Sequence, residues 1–230
     1  MVKKVMVMCA ALLLAAVLSP SLSIVLGAAS APNDKRLKSA EAVLTDLSGS
    51  FDKGIPESLL QKASCVVIIP SVKRAAMGIG GQYGRGYMLC RKDGPKTWSA
   101  PAGIRIEGGS IGFQLGGSDT DVILLVMNSR GADRLLSSQF TIGAEAAVAA
   151  GPIGRQASAQ TDATMRAEIL AWSQSRGIYA GISLQGSTLR QDDGENRELY
   201  GSDLKNRDIV TGDVKPPAAA AGLIALLSKY

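Results

Sequence analysis

The sequence contains no histidine, the side chain that most often serves as a general base, as a partner of catalytic serine or as a metal ligand. Aromatic residues make up only 4% of the chain, which leaves few side chains for stacking on nucleic-acid bases. Glycine, by contrast, is plentiful at 26 of 230 residues. This composition disfavours many enzyme classes and a helical bundle, and it favours many strands joined by tight turns.

The first thirty residues have the organisation of a secretory signal. Lys3 and Lys4 precede an apolar run over 5–18, and small residues follow at 27–31. This order predicts a signal peptide over 1–29, cleaved after Ala29. The protein is then expected to be periplasmic or secreted and peripherally associated with the envelope membrane. An uncleaved anchor is the alternative, because the apolar character persists nearly to Ala29.

Residues 33–230 are enough for one domain with a single core. Removing the two N-terminal lysines leaves 23 basic and 20 acidic residues, so the charge is informative only through its distribution. Cys65 and Cys90 are the cysteines of this part of the chain. Two buried free thiols are the favoured interpretation. A disulfide is the alternative, provided that 65–90 forms one hairpin that brings the thiols together.

The apolar pattern changes from helical to strand-like near residue 65. Helical spacing predicts a helix over 33–48, and Pro56 begins a second, over 56–62. From Cys65 to about Leu189, glycines interrupt aliphatic segments, the first of which ends at Pro70. The segment 121–127 is expected to be the central strand, 132–137 a short helix, 162–175 a helix or a strand, 191–203 a loop and 218–227 a final helix.

These elements predict an α+β fold. Glycines inside strands mark bulges and sharp bends, so we expect a curved, mainly antiparallel β-sheet or partial β-barrel. Helices should lie at the N-terminus, in the middle and at the C-terminus. The glycines Gly78, Gly112, Gly143 and Gly177 recur at spacings of 31–34 residues, which hints at four similar hairpin-like units.

The stretch from Ser58 to Lys92 contains basic residues and no acidic one. Basic side chains in turns beside tyrosine suit contact with an anionic lipid surface. We expect five basic side chains to contact phosphate, namely Lys73, Arg74, Arg85, Arg91 and Lys92. We expect two tyrosines, Tyr83 and Tyr87, to lie at the headgroup boundary. An ordinary solvated face that prevents edge pairing of strands is the alternative.

Three other motifs carry weaker expectations. Gly108 to Gly112 fits the Gly-x-Ser-x-Gly pattern, but that chemistry needs a base beside Ser110 and a strand-to-helix turn. The glycine run over 78–86 lacks the spacing of a phosphate-binding loop. Asp192, Asp193 and Glu195 do not have the spacing of a calcium loop. We therefore predict no catalytic residue, no metal and no cofactor, and a protein that is not an enzyme.

Taken in order, seven segments resemble the SYLF domain family, which is described as lipid-binding. The similarity extends over roughly residues 35–200. The segments are 69–73, 78–84, 98–101, 108–117, 121–126, 149–155 and 175–186.

The resemblance implies non-enzymatic binding of anionic membrane phospholipids. Nucleic acid is not expected as a partner, because the chain is expected to be exported and has few aromatic residues for stacking. In some relatives an amphipathic N-terminal helix contacts lipid, which adds Lys35, Arg36 and Lys38 as expected lipid-binding residues. Two alternatives stay open at this point. One is a structural or scaffolding envelope protein that binds another protein, and the other is a carrier that encloses a lipid acyl chain.

Overall fold

The computed structural model describes residues 31–49, 54–92, 97–137, 139–143, 148–152, 167–175, 178–179, 184 and 186–230, with the backbone alone at 76–79, 110–116 and 178–179. Residues Ala31–Tyr230 form one compact unit. The predicted signal peptide over 1–29 lies outside the described residues, so it and the domain boundary at residue 33 stay predictions. In the described part, no helix is both long and apolar enough to cross a membrane.

The fold is α+β, with a curled, mostly antiparallel sheet and helices in the N-terminal, middle and C-terminal parts of the chain, which confirms the predicted class. The helices are α1 (Pro32–Gly49), α2 (Glu57–Lys62), α3 (Ser129–Leu135), α4 (Asp193–Tyr200), α5 (Asn206–Thr211) and α6 (Ala221–Leu227), the last preceded by a 3₁₀ turn (Ala218–Ala220). The strands are β1 (Cys65–Cys90), β2 (Ala102–Val126), β3 (Gln139–Thr141), β4 (Val148–Ala150), β5 (Ile169–Ser175), β6 (Ile178–Tyr179) and β7 (Thr188–Gln191).

A long antiparallel ribbon of β1 and β2 is the backbone of the sheet. Its pairing runs from Cys65 opposite Val126 to Met88 opposite Ala102, with register shifts at Ile69/Val72 and Ala76/Gly78. Gly78 lies opposite Gly112 across this ribbon. Gly177 lies outside the described residues, so the expected set of four hairpin-like units stays a prediction. The expected strand end at Pro70 is wrong, because β1 continues through it to Cys90. A bulge there accommodates the missing N–H of proline.

The two halves of β1 lie side by side. A Cβ at Gly86 would stand 2.0 Å from the carbonyl oxygen of Ile68, so only glycine permits this approach of the two backbones. At the ends of the strand, Cys65 and Cys90 form a disulfide with their Cα atoms 4.0 Å apart. The favoured interpretation of two free thiols is therefore wrong. The ribbon folds back at its glycine-rich middle, which we call the bend, and the disulfide marks the opposite, closed end.

Two apolar cores pack on the two faces of the sheet. Alternate residues such as Val66 and Ile68 pack with Leu37, Leu44 and other residues of α1, α2 and α6. The intervening residues pack with side chains of β3, β5, β7, α3 and α5. Because the side chains of a strand alternate between faces, one aliphatic run serves both cores. The alternative of a carrier that encloses an acyl chain stays a prediction.

Several local expectations are confirmed and others are not. The helices expected over 33–48, 56–62, 132–137 and 218–227 form with small shifts of their ends, and the ambiguous segment 162–175 contains a strand at Ile169–Ser175. The loop expected over 191–203 is wrong, because α4 occupies most of it. Asp192 caps this helix by accepting from the backbone N–H of Glu195, and Gly201 ends it with a φ of 68°. The Gly-x-Ser-x-Gly segment lies within β2, so it is not a strand-to-helix turn.

Candidate functional site

An open cleft lies at the bend of the ribbon, lined by residues 73–75 and 81–83 of β1 and 117–119 of β2. It has a volume of about 570 Å³, and its walls include Lys73, Arg74, Gln82, Tyr83 and Asp119. We call these five residues the bend cleft. Tyr83 is 49% exposed, and in the described part no other large hydrophobic side chain is exposed. The cleft therefore combines two cations, one carboxylate and an exposed aromatic ring.

The cations of the bend cleft differ in their surroundings. Lys73 is exposed and lies opposite Asp119 in the β1–β2 register. Arg74 is half-buried, and its Nε donates to Oε1 of Gln82 at 2.8 Å. Burial lowers the pKa of Arg74, although the guanidinium stays charged at neutral pH. Of the expected lipid-binding residues, Lys73, Arg74 and Tyr83 are thus brought together at one surface.

A second group of expected residues converges on Glu195, a fully buried carboxylate of α4. Arg36 of α1 and the hydroxyl of Tyr87 both donate to it. Arg85 pairs with Asp192 through Nε and Oδ2 at 2.5 Å, and its Nη2 lies 3.3 Å from Oε2 of Glu195. We call these five residues the Glu195 network. It joins α1 and β1 to the start of α4.

The electrostatics of the Glu195 network follow from burial and pairing. Burial alone would raise the pKa of Asp192, but the hydrogen bond from Arg85 and the backbone N–H of Glu195 outweigh it, and the pKa lies below its ordinary value. The hydrogen bond to Asp192 raises the pKa of Arg85. Burial, followed by the contact with Glu195, raises the pKa of Tyr87. The charges of Arg36, Arg85, Asp192 and Glu195 compensate one another.

This network corrects the expectation for three residues. Tyr87 is fully buried, so it does not lie at a surface where a headgroup boundary could reach it. Arg36 and Arg85 are engaged in ion pairs with nearly buried carboxylates. A side chain that holds such a pair is not available to phosphate without leaving its partner uncompensated. The strand alternation that places Tyr83, Arg85 and Tyr87 on one face was visible in the sequence, but the helix that covers part of that face was not.

Arg91 and Lys92 lie at the closed end of the sheet. Arg91 donates from Nε to the carbonyl of Ala63 and from Nη2 to the carbonyl of Leu60, each at 2.9 Å, and its guanidinium stacks 4.4 Å from the ring centre of Trp98. Lys92 Nζ lies 2.7 Å from Oδ1 of Asp213. Eight residues of strand separate Lys73 from Cys65, which corresponds to roughly 25 Å. The single basic surface expected from the sequence is therefore divided between the bend and the closed end.

The remaining expected cations, Lys35 and Lys38, are exposed on α1. The apolar face of the same helix is buried, with Leu37, Leu44 and Leu47 fully inaccessible. A membrane can therefore meet the lysines of α1 in this arrangement but not its apolar face. The amphipathic pattern that suggested lipid contact is explained here by packing on the sheet.

Sequence reasoning missed a row of arginines across three strands. Arg85 of β1 lies opposite Arg105 of β2, which in turn lies opposite Arg190 of β7. Arg105 and Arg190 both approach Glu107, at 2.6 and 3.6 Å, and both are about one-third exposed or more. Residues 105 and 190 are far apart in the sequence, so only the register brings them together.

In the described part, no cluster of acidic and cysteine side chains is suited to a metal.

The comparison with known proteins identifies the family. The model of the family described as "Ysc84: Las17-binding protein actin regulator" matches residues 107–230. Protein YSC84 of Saccharomyces cerevisiae is 36% identical over 181 residues, which cover 76% of this chain and 38% of that protein. An SH3 domain-containing protein of Schizosaccharomyces pombe is 35% identical over 178 residues, 76% of this chain and 41% of that protein.

A mammalian relative gives the same result. The SH3 domain-containing YSC84-like protein 1 of Homo sapiens is 32% identical over 180 residues, which cover 78% of this chain and 52% of that protein. The chain thus spans about half or less of the length of these curated relatives. Their whole-protein activities are therefore not transferred to it.

The expected localisation is wrong. The relatives named above are proteins of yeasts and of a mammal, and the family description names an actin regulator, a role inside a eukaryotic cell. This finding contradicts a periplasmic or secreted protein at an envelope membrane. The apolar N-terminal stretch was the reason for that prediction, and it lies outside the described residues.

The same description names a regulator that binds another protein and mentions no reaction. It agrees with the expectation of a binding protein at this coarse level, while the ligand and the absence of catalysis stay predictions. The family match confirms the resemblance to SYLF proteins that the glycine-rich motifs indicated. The chain belongs to the Ysc84 family, whose members carry the SYLF domain.

Proposed function

We propose that this protein is a non-enzymatic module that binds membranes containing anionic phospholipid, and that the bend cleft makes the contact. The observation that carries the proposal is the placement of the exposed Tyr83 beside the exposed cation Lys73. Tyrosine favours the boundary between headgroups and acyl chains, where its ring is in an apolar layer and its hydroxyl stays hydrated. Lysine beside it is attracted to phosphate.

Further cations support the same face. Tyr83 and Arg85 are two residues apart on β1 and so point to the same side of the sheet, and Arg105 and Arg190 continue that row across β2 and β7. Each basic residue near an anionic surface contributes about 1 kcal/mol of attraction. Lys73 would contribute this attraction, and Arg105 and Arg190 would contribute less because both lie within ion-pair distance of Glu107, so the association is reversible rather than a permanent anchor. Asp119 and Glu107 reduce the net positive charge of this face.

The chemistry of the bend cleft indicates which class of lipid it recognises. The recognised group is a phosphate-bearing headgroup in a layer with excess negative charge, because an open cleft offers no enclosed pocket for one particular headgroup. Binding should therefore weaken as salt screens the attraction. It should also increase with the anionic fraction of the membrane.

Co-sedimentation with vesicles tests the proposal. Vesicles of phosphatidylcholine alone are compared with vesicles that also contain phosphatidylserine, at low and high salt. We expect Lys73→Glu to weaken binding to the mixed vesicles about thirtyfold, because it removes one attraction and adds one repulsion of about 1 kcal/mol each. The separate variant Tyr83→Ala should also weaken binding, without changing how binding depends on salt.

The matched control is Lys62→Glu. Lys62 is an exposed lysine of α2, which lies beside Arg91 at the closed end, and the charge change is the same. It should bind vesicles as the unaltered protein does. Equal losses for Lys73→Glu and Lys62→Glu, or binding that ignores both salt and anionic lipid, would show that the bend cleft is not the contact.

A second candidate function is binding to a protein partner, and the family description favours it, since it names a Las17-binding actin regulator. Co-sedimentation with purified actin filaments, without vesicles, distinguishes the two functions. Filament binding that persists in Lys73→Glu and Tyr83→Ala, together with no vesicle binding by the unaltered protein, would favour the protein partner. Vesicle binding without filament binding would favour the membrane function.

A further inference from the structure

A pocket of about 440 Å³ lies at the closed end, between the ends of β1 and the helices α3 and α5. Its walls combine three basic side chains with hydroxyl groups; the residues are Arg91, Lys92 and Arg207, with Ser64, Ser129 and Thr211. We call it the closed-end pocket. One carboxylate, Asp133, also lines it, and the Cys65–Cys90 disulfide forms part of its wall.

The charges of this pocket are incompletely compensated. Asp133 pairs with Arg207 through Oδ1 and Nη1 at 3.1 Å. Lys92 pairs with Asp213, a fully exposed carboxylate that does not line the pocket. Arg91 has two backbone carbonyls and an aromatic ring as neighbours but, among the described residues, no acidic partner within ion-pair distance. A partly buried guanidinium without a counter-ion attracts an anion more strongly than an exposed one does.

Two buried N–H groups lie at Arg91, which lines the pocket, and at Trp98, which does not line it but stacks on Arg91. Nη1 of Arg91 and Nε1 of Trp98 are both buried, and within the described part neither has an acceptor. Buried N–H groups without an acceptor are rare in folded proteins and deserve an explanation. Burial also lowers the pKa of Arg91, as expected for a cation that no carboxylate stabilises.

We infer that the closed-end pocket is a binding site for a small, soluble, phosphate-bearing molecule, held by Arg91, Lys92 and Arg207. A phosphate group matches the set because it offers several acceptor oxygens and a double negative charge to a guanidinium fork, an ammonium and nearby hydroxyls. The volume of the pocket lies in the lower part of the range of small-molecule binding sites. The site is separate from the bend cleft, roughly 25 Å away along β1.

Nuclear magnetic resonance of the full chain tests the inference, with inorganic phosphate and glycerol phosphate as probes. The protein has two tryptophans, so it gives two indole N–H signals. Trp98 lies under Arg91, whereas the indole of Trp172 donates to the carbonyl of Pro152 elsewhere in the fold. We expect the Trp98 signal to move saturably with either probe while the Trp172 signal stays in place.

Matched variants locate the site without disturbing Arg91, whose contacts with backbone carbonyls make it a structural residue. Lys92→Gln and Arg207→Gln should each weaken phosphate binding about tenfold, as expected for loss of a hydrogen bond between charged groups. Lys205→Gln is the control for Arg207→Gln. Lys205 precedes Arg207 by two residues, is similarly exposed and also pairs with one aspartate, but it does not line the pocket. It should change the affinity by less than about twofold.

The outcomes separate this site from the membrane contact. Lys73→Glu should leave the response of Trp98 to phosphate unchanged, and mixed phosphatidylserine vesicles should not produce that response. Equal movement of both indole signals, linear movement without saturation, or equal weakening by Lys205→Gln and Arg207→Gln would overturn the inference. A Trp98 response to vesicles but not to soluble phosphate would overturn it as well, since the ligand would then be a lipid.

Discussion

Arg85 and Asp192 form an ion pair across 107 residues of sequence, with Nε and Oδ2 separated by 2.5 Å. The pair joins the returning half of β1 to the residue that caps α4, so strand and helix are fixed to each other by charge as well as by packing. The side chain of Asp192 is 5% exposed and that of Arg85 is 27% exposed. A nearly buried carboxylate of this kind makes the stability of the fold depend on pH.

The first prediction concerns Asp192→Asn. Because the pKa of Asp192 is lowered in the folded state, its carboxylate adds stability above the unfolded value of about 3.9. This contribution is lost as pH falls through the lower, folded pKa. Asparagine still caps α4 but cannot pair with Arg85. We expect the variant to lose about 2 kcal/mol at pH 7, less than a fully buried pair would lose, because Arg85 stays partly exposed.

Urea unfolding at a series of pH values measures this difference. The loss caused by Asp192→Asn should shrink below about pH 4, where the unaltered protein also loses its carboxylate. Asp203→Asn is the control, since Asp203 pairs with Arg197 on the surface, where both side chains are more than half exposed. It should cost less than about 0.5 kcal/mol. A loss for Asp192→Asn that stays constant down to pH 2 would contradict the assignment.

A second prediction concerns the hydroxyl of Tyr87. It donates to Glu195 and lies 3.1 Å from the carbonyl oxygen of Asn33, so phenylalanine would leave a buried carboxylate with one donor fewer. We expect Tyr87→Phe to lower the free energy of unfolding by about 1.5–3 kcal/mol, as for other hydrogen bonds to charged groups. Tyr83→Phe, at the exposed tyrosine, should have almost no effect. Equal thermal midpoints for the two variants would mean that the Tyr87 hydroxyl contributes nothing.

The sequence was sufficient to predict elements that depend on local pattern. The spacing of Leu37, Ala40, Leu44 and Leu47 predicts α1, and the glycine-interrupted aliphatic segments predict a curved sheet. The course of β1 was not predictable in this way. Pro70 ordinarily ends a strand, and whether a bulge lets the strand continue is decided by its partner β2, more than forty residues away.

The candidate site likewise combines features that the local sequence pattern predicts with features that only the folded arrangement decides. Clustering of like charge along the sequence suggested one basic surface, but strand alternation and the return of β1 send neighbouring cations to different places. Arg85 meets Asp192, Lys73 lies at the bend and Arg91 lies at the closed end. The missed helix α4 did leave a local signal, since Asp192 followed by Glu195 is a pattern that caps a helix and Gly201 is a residue that ends one.

A third prediction tests the close approach of the two halves of β1. In Gly86→Ala the added Cβ would lie 2.0 Å from the carbonyl oxygen of Ile68, and backbone atoms cannot move away as a flexible side chain can. We expect a loss of about 3 kcal/mol or more, at or beyond the usual cost of overpacking. Gly109→Ala is the control in the paired strand, where an added Cβ meets nothing within 4 Å. It should be neutral or stabilising by about 0.5 kcal/mol. Similar midpoints of urea unfolding for both variants would contradict the side-by-side arrangement.

The last prediction concerns the Cys65–Cys90 disulfide, which joins residues separated by 25 positions. A crosslink over a loop of this length stabilises the folded state by about 3 kcal/mol, chiefly by restricting the unfolded chain. The double variant Cys65→Ala with Cys90→Ala should therefore unfold at lower urea concentration, and addition of a reductant should lower the midpoint of the unaltered protein towards that of the variant. The variant itself should not respond to the reductant, because it has neither of these thiols. An unaltered protein whose midpoint is the same with and without reductant, and equal to that of the variant, would show that the closed end is held by packing and hydrogen bonds alone.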